Sequence, residues 1–159
     1  MPRYFVEIAY VGTAYHGLQI QPNAHTVQEV LQDGLAVVLR QPGLRAIIAG
    51  RTDSGVHASG MFFHFDCDTP NLAEPFLRAY NGWLPPDISA LALYAPTPEN
   101  LHARFGAISR AYTYRFVFQK SPFRSATAWY VRPQLDIPAM QRAADVFLHF
   151  TDFASLCKA

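Results

Sequence analysis

The chain has 159 residues, half of them apolar and 14% aromatic, and a formal net charge of +1. That length allows one domain, or one domain and part of a second, and the apolar content supports a sizeable core and excludes a globally disordered chain. No apolar run reaches bilayer length, and Met1-Pro2-Arg3-Tyr4-Phe5 lacks the apolar core of a secretory leader, so a soluble cytoplasmic protein is expected.

Tyr4 to Val11 is β-branched and aromatic, is bounded by Gly12, and reads as a strand. Thr26-Val27-Gln28-Glu29 has the form of a capping box. Val27, Val30, Leu31, Leu35 and Val38 follow at helical spacing, and Pro42-Gly43 sets the stop. Ala46 to Ala49 and Met61 to Phe65 are short apolar runs that predict two more strands. Asn71 and Glu74 suggest a second capped helix with Leu72, Phe76, Ala79, Tyr80 and Trp83 on its buried side, stopping at Gly82 before Pro85-Pro86. Ile88 to Tyr94 predicts a further strand. This β-α-β-β-α-β order is the ferredoxin-like split unit, an α+β fold, expected over residues 1–97 with a break at Pro96-Thr97-Pro98. A second αβ unit is expected over 98–159. It begins with an alternating strand from Arg110 to Phe118 and continues in a helix capped by Asp136, with Ile137, Met140, Ala144, Phe147 and Leu148 on one face. One strand and one helix do not make a complete sheet layer, so the chain is expected to lack a C-terminal portion or to borrow its equivalent.

Charge is unevenly spread. Residues 1–100 hold five Lys/Arg against nine Asp/Glu, whereas 101–132 hold Arg104, Arg110, Arg115, Lys120, Arg124 and Arg132 with no acid. Such an island is either a phosphate-binding footprint, with Lys120 among its contacts, or a solvated basic face. Cys67 and Cys157 form no CxxC pair, and reduced thiols are expected rather than a disulfide or a zinc site. Asp66 and Asp68 flank Cys67 without a histidine pattern and read as solvated carboxylates rather than metal ligands. His57 and His64 lie beside an apolar strand and read as hydrogen-bonded rather than proton-carrying. Tyr114, Phe116 and Phe118 at strand spacing read as core.

Gly50-Arg51-Thr52-Asp53-Ser54-Gly55-Val56-His57 joins two predicted strands. Two glycines bracket a polar loop that presents a carboxylate, a guanidinium and an imidazole. Held by backbone donors, Asp53 would stay ionised and could act as a nucleophile; Arg51 could bind phosphate or fill the gap left by an extruded base. The same pattern also suits a plain Asx-turn.

Six blocks settle the comparison in favour of chemistry. Gly50 to His57 resembles the signature loop of the tRNA pseudouridine synthase A family. Tyr10 to Gly17 is similar to that family's opening segment, Thr26 to Leu31 to the start of its first helix, and Trp83 to Ile88 to its N-x-LP-x-DI turn. His102 to Phe105 with Arg110 to Tyr114 resembles HARF and then R-x-Y-x-Y, and Asp152 to Ser155 resembles DF-x-SF. The blocks run in family order over the whole chain.

The resemblance implies an isomerase that converts uridine to pseudouridine in the anticodon arm of tRNA, without cofactor or metal, as a cytoplasmic homodimer. It implies two pseudo-symmetric αβ halves, with Asp53 as the catalytic nucleophile, Arg51 at the flipped nucleotide, and Tyr112 packed on the target base. It implies tRNA contact by Leu101, His102, Ala103, Arg104 and Phe105. Attack on the uracil ring and attack on the ribose both stay open. The sequence departs from the family pattern at Leu18-Gln19-Ile20-Gln21, where a tryptophan and Q-R-Q are usual, and at Leu101 and Leu156, where aromatics are common. The family's second half also supplies a basic partner for the aspartate and an apolar wall for the base, so a chain ending at Ala159 is expected to be catalytically incomplete alone, leaving a non-catalytic tRNA-binding fragment as the alternative.

Overall fold

A computed structural model describes residues 1–70, 72–95, 100–132 and 135–156. The expected cap Asn71, the expected break at Pro96-Thr97-Pro98 and Cys157 lie outside the described residues. The chain divides into two compact units, Met1–Tyr112 and Thr113–Ala159.

In the first unit the strands are β1 (Arg3–Tyr10), β2 (Ile47–Ile48), β3 (Ala58–Asp66) and β4 (Ile88–Tyr94), and the helices are α1 (Val27–Leu39) and α2 (Glu74–Trp83). The sheet order is β2-β3-β1-β4 and every neighbouring pair is antiparallel. This mixed α+β arrangement is compatible with the ferredoxin-like half expected from the sequence. Val6, Ile8, Phe63 and Phe65 on the sheet pack with Val27, Leu31 and Leu35 of α1 and with Phe76 and Tyr80 of α2. The Tyr80 hydroxyl donates to the Leu31 carbonyl at 2.8 Å, so the buried phenol is paired.

The start of α1 is better satisfied than a capping box alone would make it. Thr26 Oγ1 accepts from the Glu29 N–H at 3.4 Å, a long bond, and the Glu29 carboxylate lies by His25. The Val27 and Gln28 N–H groups instead donate to the carbonyls of Gly17 and Leu18. Those donors have no partner inside the helix, so the 17–18 segment is docked to α1. At the other end Arg40 adopts φ 55° and closes the helix as a left-handed C-cap.

β2 is shorter than the expected Ala46–Ala49. The Ala46 N–H donates to Gln32 and its carbonyl accepts from Gln28, so α1 side chains take the groups a ladder would have used. α2 runs one residue past Gly82 and is capped at Leu84. Phe76 and Tyr80 are buried as expected and Leu72 is partly so, but Ala79 is exposed, and Trp83 stays 38% exposed although its ring lies against Gly34 of α1.

In the second unit β5 (Phe116–Val117) pairs in parallel with β6 (Trp129–Tyr130), and α3 spans Ile137–Phe147. Asp136 Oδ1 accepts from the Ala139 N–H at 2.9 Å, the expected cap. The long strand expected from Arg110 to Phe118 reduces to β5. Tyr114, Phe116 and Phe118 are exposed rather than core, since a two-residue ladder provides no sheet face to cover them. The apolar face of α3, including Ile137, Met140, Phe147 and the following Leu148, is likewise exposed. No described helix is long and apolar enough to cross a membrane.

Candidate active-site loop

The loop that carries Asp53 is held from three sides by the first unit. The Tyr10 and Thr52 hydroxyls share a buried hydrogen bond at 2.9 Å, which ties the end of β1 to the residue before Asp53. The Leu18 N–H donates to the Thr52 carbonyl at 3.2 Å, and Leu18 in turn accepts from α1. The Tyr15 carbonyl accepts from the Gly55 N–H at 3.3 Å and from Ser54 Oγ at 3.1 Å. Tyr15 is itself anchored, because its hydroxyl donates to Asp87 at 2.8 Å. Burial first, and then that carboxylate, hold the Tyr15 phenol well above the usual tyrosine range, so it remains a donor.

Backbone closeness explains the glycines. Gly12 lies so close to the Val56 carbonyl that a Cβ would overlap it. Gly17 has φ +95° and a Cβ there would stand 2.6 Å from the Thr52 carbonyl. The Val56 N–H donates to the Asp53 carbonyl at 3.2 Å, closing a turn whose third residue, Gly55, has φ +78°.

Asp53 therefore projects from a clamped backbone, but its carboxylate is exposed and accepts no hydrogen bond among the described residues. This corrects the expectation that backbone donors hold the carboxylate: the turn spends its N–H groups on carbonyls, leaving the side chain open to a ligand. Arg51 is also exposed, with no ion pair among the described residues. His57 Nδ1 accepts from the Gly12 N–H at 2.9 Å, so this imidazole serves the fold, as its place beside a strand suggested.

Tyr112 ends the first unit and is 64% exposed. It is close enough to Tyr10 for its charge to add to the burial that raises the Tyr10 phenol pKa, although the Thr52 bond opposes that rise.

Leu101 to Phe105 folds as a tight turn on the far side of β3. Ala103 is buried against Phe5 and Ala49, and its N–H donates to His64 Nδ1 at 3.1 Å. A column of rings runs outward from there: Phe5 on His64 at 5.4 Å, His64 on His102 at 4.7 Å, and His102 on Phe105 at 4.5 Å, with the Arg104 guanidinium 5.8 Å from the Phe105 ring centre. Phe105 and Arg104 are exposed, which suits stacking and phosphate contact, and Leu101 is exposed at the edge of the turn. His64 is 2% exposed; burial first, with Arg3 and His102 adding, pushes its pKa down to about 4. A neutral imidazole is what an acceptor for the Ala103 N–H must be. Lys120 stands exposed in the second unit.

Two residues escaped the sequence reading. Arg110, counted there with the basic island, donates from Nε and Nη2 to the Ala49 carbonyl at 3.2 and 2.6 Å and from Nη2 to the Arg104 carbonyl at 2.9 Å. Gln19 Oε1 is buried next to the Leu18 clamp and has no hydrogen-bond partner among the described residues. Asp66, read as solvated, forms a two-pronged ion pair with Arg3 at 2.7 and 2.8 Å, because the β1–β3 register sets the two side by side. Among the described residues no group of three His, Cys, Asp or Glu is placed to hold a metal.

Fold and loop together give an α+β unit, compatible with a ferredoxin-like half, that presents an exposed aspartate on a hydrogen-bonded turn. No family model matches the chain. It is 42% identical over 158 residues to the tRNA pseudouridine synthase A of Azobacteroides pseudotrichonymphae, covering 99% of this chain and 63% of the relative. The protein of that name from Porphyromonas gingivalis is 41% identical over 160 residues, with 99% and 63% covered, and that from Halalkalibacterium halodurans is 40% identical over 161 residues, with 100% and 61% covered. Over essentially its whole length the chain is similar to the N-terminal part of proteins named tRNA pseudouridine synthase A. It spans about 63% of the length of the first two of these relatives.

Proposed function

We propose that this chain carries the nucleophile-bearing part of an enzyme that isomerises uridine to pseudouridine in the anticodon arm of tRNA. The observation that supports this reading best is Asp53, an exposed carboxylate with no hydrogen bond or ion pair among the described residues, on a loop whose backbone is clamped to β1, to the 15–18 segment and, through it, to α1. Isomerisation breaks the N1–C1′ glycosidic bond, turns the uracil over, forms C5–C1′ and releases the C5 hydrogen as a proton. Asp53 can add to uracil C6 or to ribose C1′, and in either route it leaves again as a carboxylate, so the reaction is redox-neutral. The target base lies in a stacked arm and has to be extruded. Exposed Tyr112 supplies an aromatic platform for it and Arg51 a cation to occupy its place. Leu101, His102, Ala103, Arg104 and Phe105 form the RNA-contacting turn, and Lys120 adds a phosphate contact. The working enzyme is a cytoplasmic homodimer that needs neither metal nor cofactor.

A second reading, a tRNA-binding fragment without turnover, is favoured by the exposed apolar face of α3 and by the share of the relatives that the chain spans. One experiment separates the two. Undermodified tRNA is incubated with the chain, digested to nucleosides, and its pseudouridine measured beside tRNA binding by the same preparation. Pseudouridine formed by the chain and absent with Asp53→Asn supports the enzyme; binding without pseudouridine supports the fragment; neither would end both readings.

A further inference from the structure

We propose that Arg110 is a positioning residue that sets the placement of Tyr112 relative to Asp53, and that its charge is not spent on RNA phosphate; the functional part of this rests on the reading above. Ala49 is the residue after β2, and its N–H donates to the Phe62 carbonyl at 2.8 Å, extending the sheet edge. Among the described residues no backbone N–H donates to its own carbonyl. Arg110 takes that place with two donors, 3.2 and 2.6 Å from the carbonyl oxygen, and the same guanidinium reaches the Arg104 carbonyl at 2.9 Å. One planar fork thus joins the start of the Asp53 loop to the Leu101–Phe105 turn. The approach is close: a Cβ on Gly50 would stand 3.1 Å from Arg110 Nε.

The residues around Arg110 make the tether important. No backbone group of 107–112 forms a hydrogen bond among the described residues, so the Arg110 side chain supplies the hydrogen bonds that hold this stretch to the unit. Tyr112 lies two residues beyond the tether, and Asp53 lies four residues beyond Ala49. An ammonium group carries the same charge but cannot reproduce a fork aimed at two carbonyls. Phosphate binding, by contrast, asks chiefly for charge.

The test uses Arg110→Lys, Arg110→Gln and Arg110→Ala in the full chain, with tRNA as probe. Single-turnover pseudouridine formation and tRNA affinity at several salt concentrations are measured side by side. The proposal expects all three variants, lysine included, to lose turnover at least about tenfold, since misplacement by about 1 Å can cost about a hundredfold. It expects the salt slope to stay close to that of the unmodified chain in all three variants. Arg110→Ala reducing the salt slope by about one unit, with lysine restoring both binding and turnover, would identify a phosphate contact and overturn it.

Amide exchange supplies the arm that does not need turnover. The proposal expects faster exchange confined to Ala49–Val56 and to the 101–106 turn in Arg110→Ala and Arg110→Lys, with α1 amides unchanged. Unchanged loop exchange, or acceleration spread evenly over the unit, overturns it. If the unmodified chain makes no pseudouridine, the functional reading fails, and the exchange result still decides whether Arg110 holds the loop.

Discussion

The hydroxyls of Tyr10 and Thr52 meet in a buried hydrogen bond of 2.9 Å, and this single contact joins the last residue of β1 to the residue before Asp53. Tyr10→Phe leaves the Thr52 hydroxyl buried and unpaired, which costs about 1–3 kcal/mol. Thr52→Val removes the other partner at similar cost. Because both delete the same bond, the double variant should be no less stable than the worse single one, as urea unfolding would show. Simple additivity would mean the two hydroxyls do not depend on each other.

Gly17→Ala should be among the most damaging small substitutions near the site. Its φ of +95° is unfavourable for any Cβ, and the added methyl would stand 2.6 Å from the Thr52 carbonyl. Gly43→Ala is the control, with φ +81° but nothing within 4 Å. Left-handed strain alone costs about 1–2 kcal/mol. Thermal unfolding should therefore show Gly17→Ala well below Gly43→Ala, and equal melting temperatures would contradict the close approach.

Gly34→Ala sets two effects against each other. Alanine in a helix interior gains about 1 kcal/mol over glycine. Here its Cβ would meet the rings of Trp83 and Tyr80 at 2.7–2.9 Å, where α1 crosses α2. Overpacking of that kind costs about 1–3 kcal/mol, and Tyr80 is fully buried and cannot swing away. The variant should be destabilised on balance; a higher urea midpoint would show that the exposed Trp83 ring yields instead.

Acid should weaken the first unit through His64. Its folded pKa of about 4 lies below the ordinary 6.5, so the native state resists protonation more than the unfolded chain does. The stability this represents is fully present above about pH 6.5 and is lost as the pH falls toward 4, amounting to about 3 kcal/mol at most. His64→Asn, whose amide oxygen can accept from Ala103 without titrating, should flatten that slope in urea titrations between pH 7 and 4. An unaltered slope would place the acid sensitivity elsewhere.

Much of the first unit could be read from the sequence because its signals are local. The apolar run of β1, the Thr26 stop before α1 and the Pro42-Gly43 end all report the chain's own preferences. The Asp53 loop was legible for the same reason, as a polar turn bracketed by glycines between two apolar runs. Tyr112 to Phe118 misled, because alternation states which face a sheet would bury and not whether the sheet is there. Arg110 was illegible as an anchor, and His64 was legible as hydrogen-bonded but its partner was not. An arginine aimed at main-chain carbonyls looks like any basic residue, and a histidine accepting from Ala103 needs a partner 39 residues away.

The central claim is that Asp53 performs the chemistry. The most direct measurement supplies tRNA labelled with tritium at uracil C5 to the chain and to Asp53→Ala, and follows tritium released to water. C5 must lose its hydrogen when it bonds to ribose. The account predicts release by the chain and none by Asp53→Ala, with tRNA binding retained by both. Release by Asp53→Ala at the unmodified rate would contradict it.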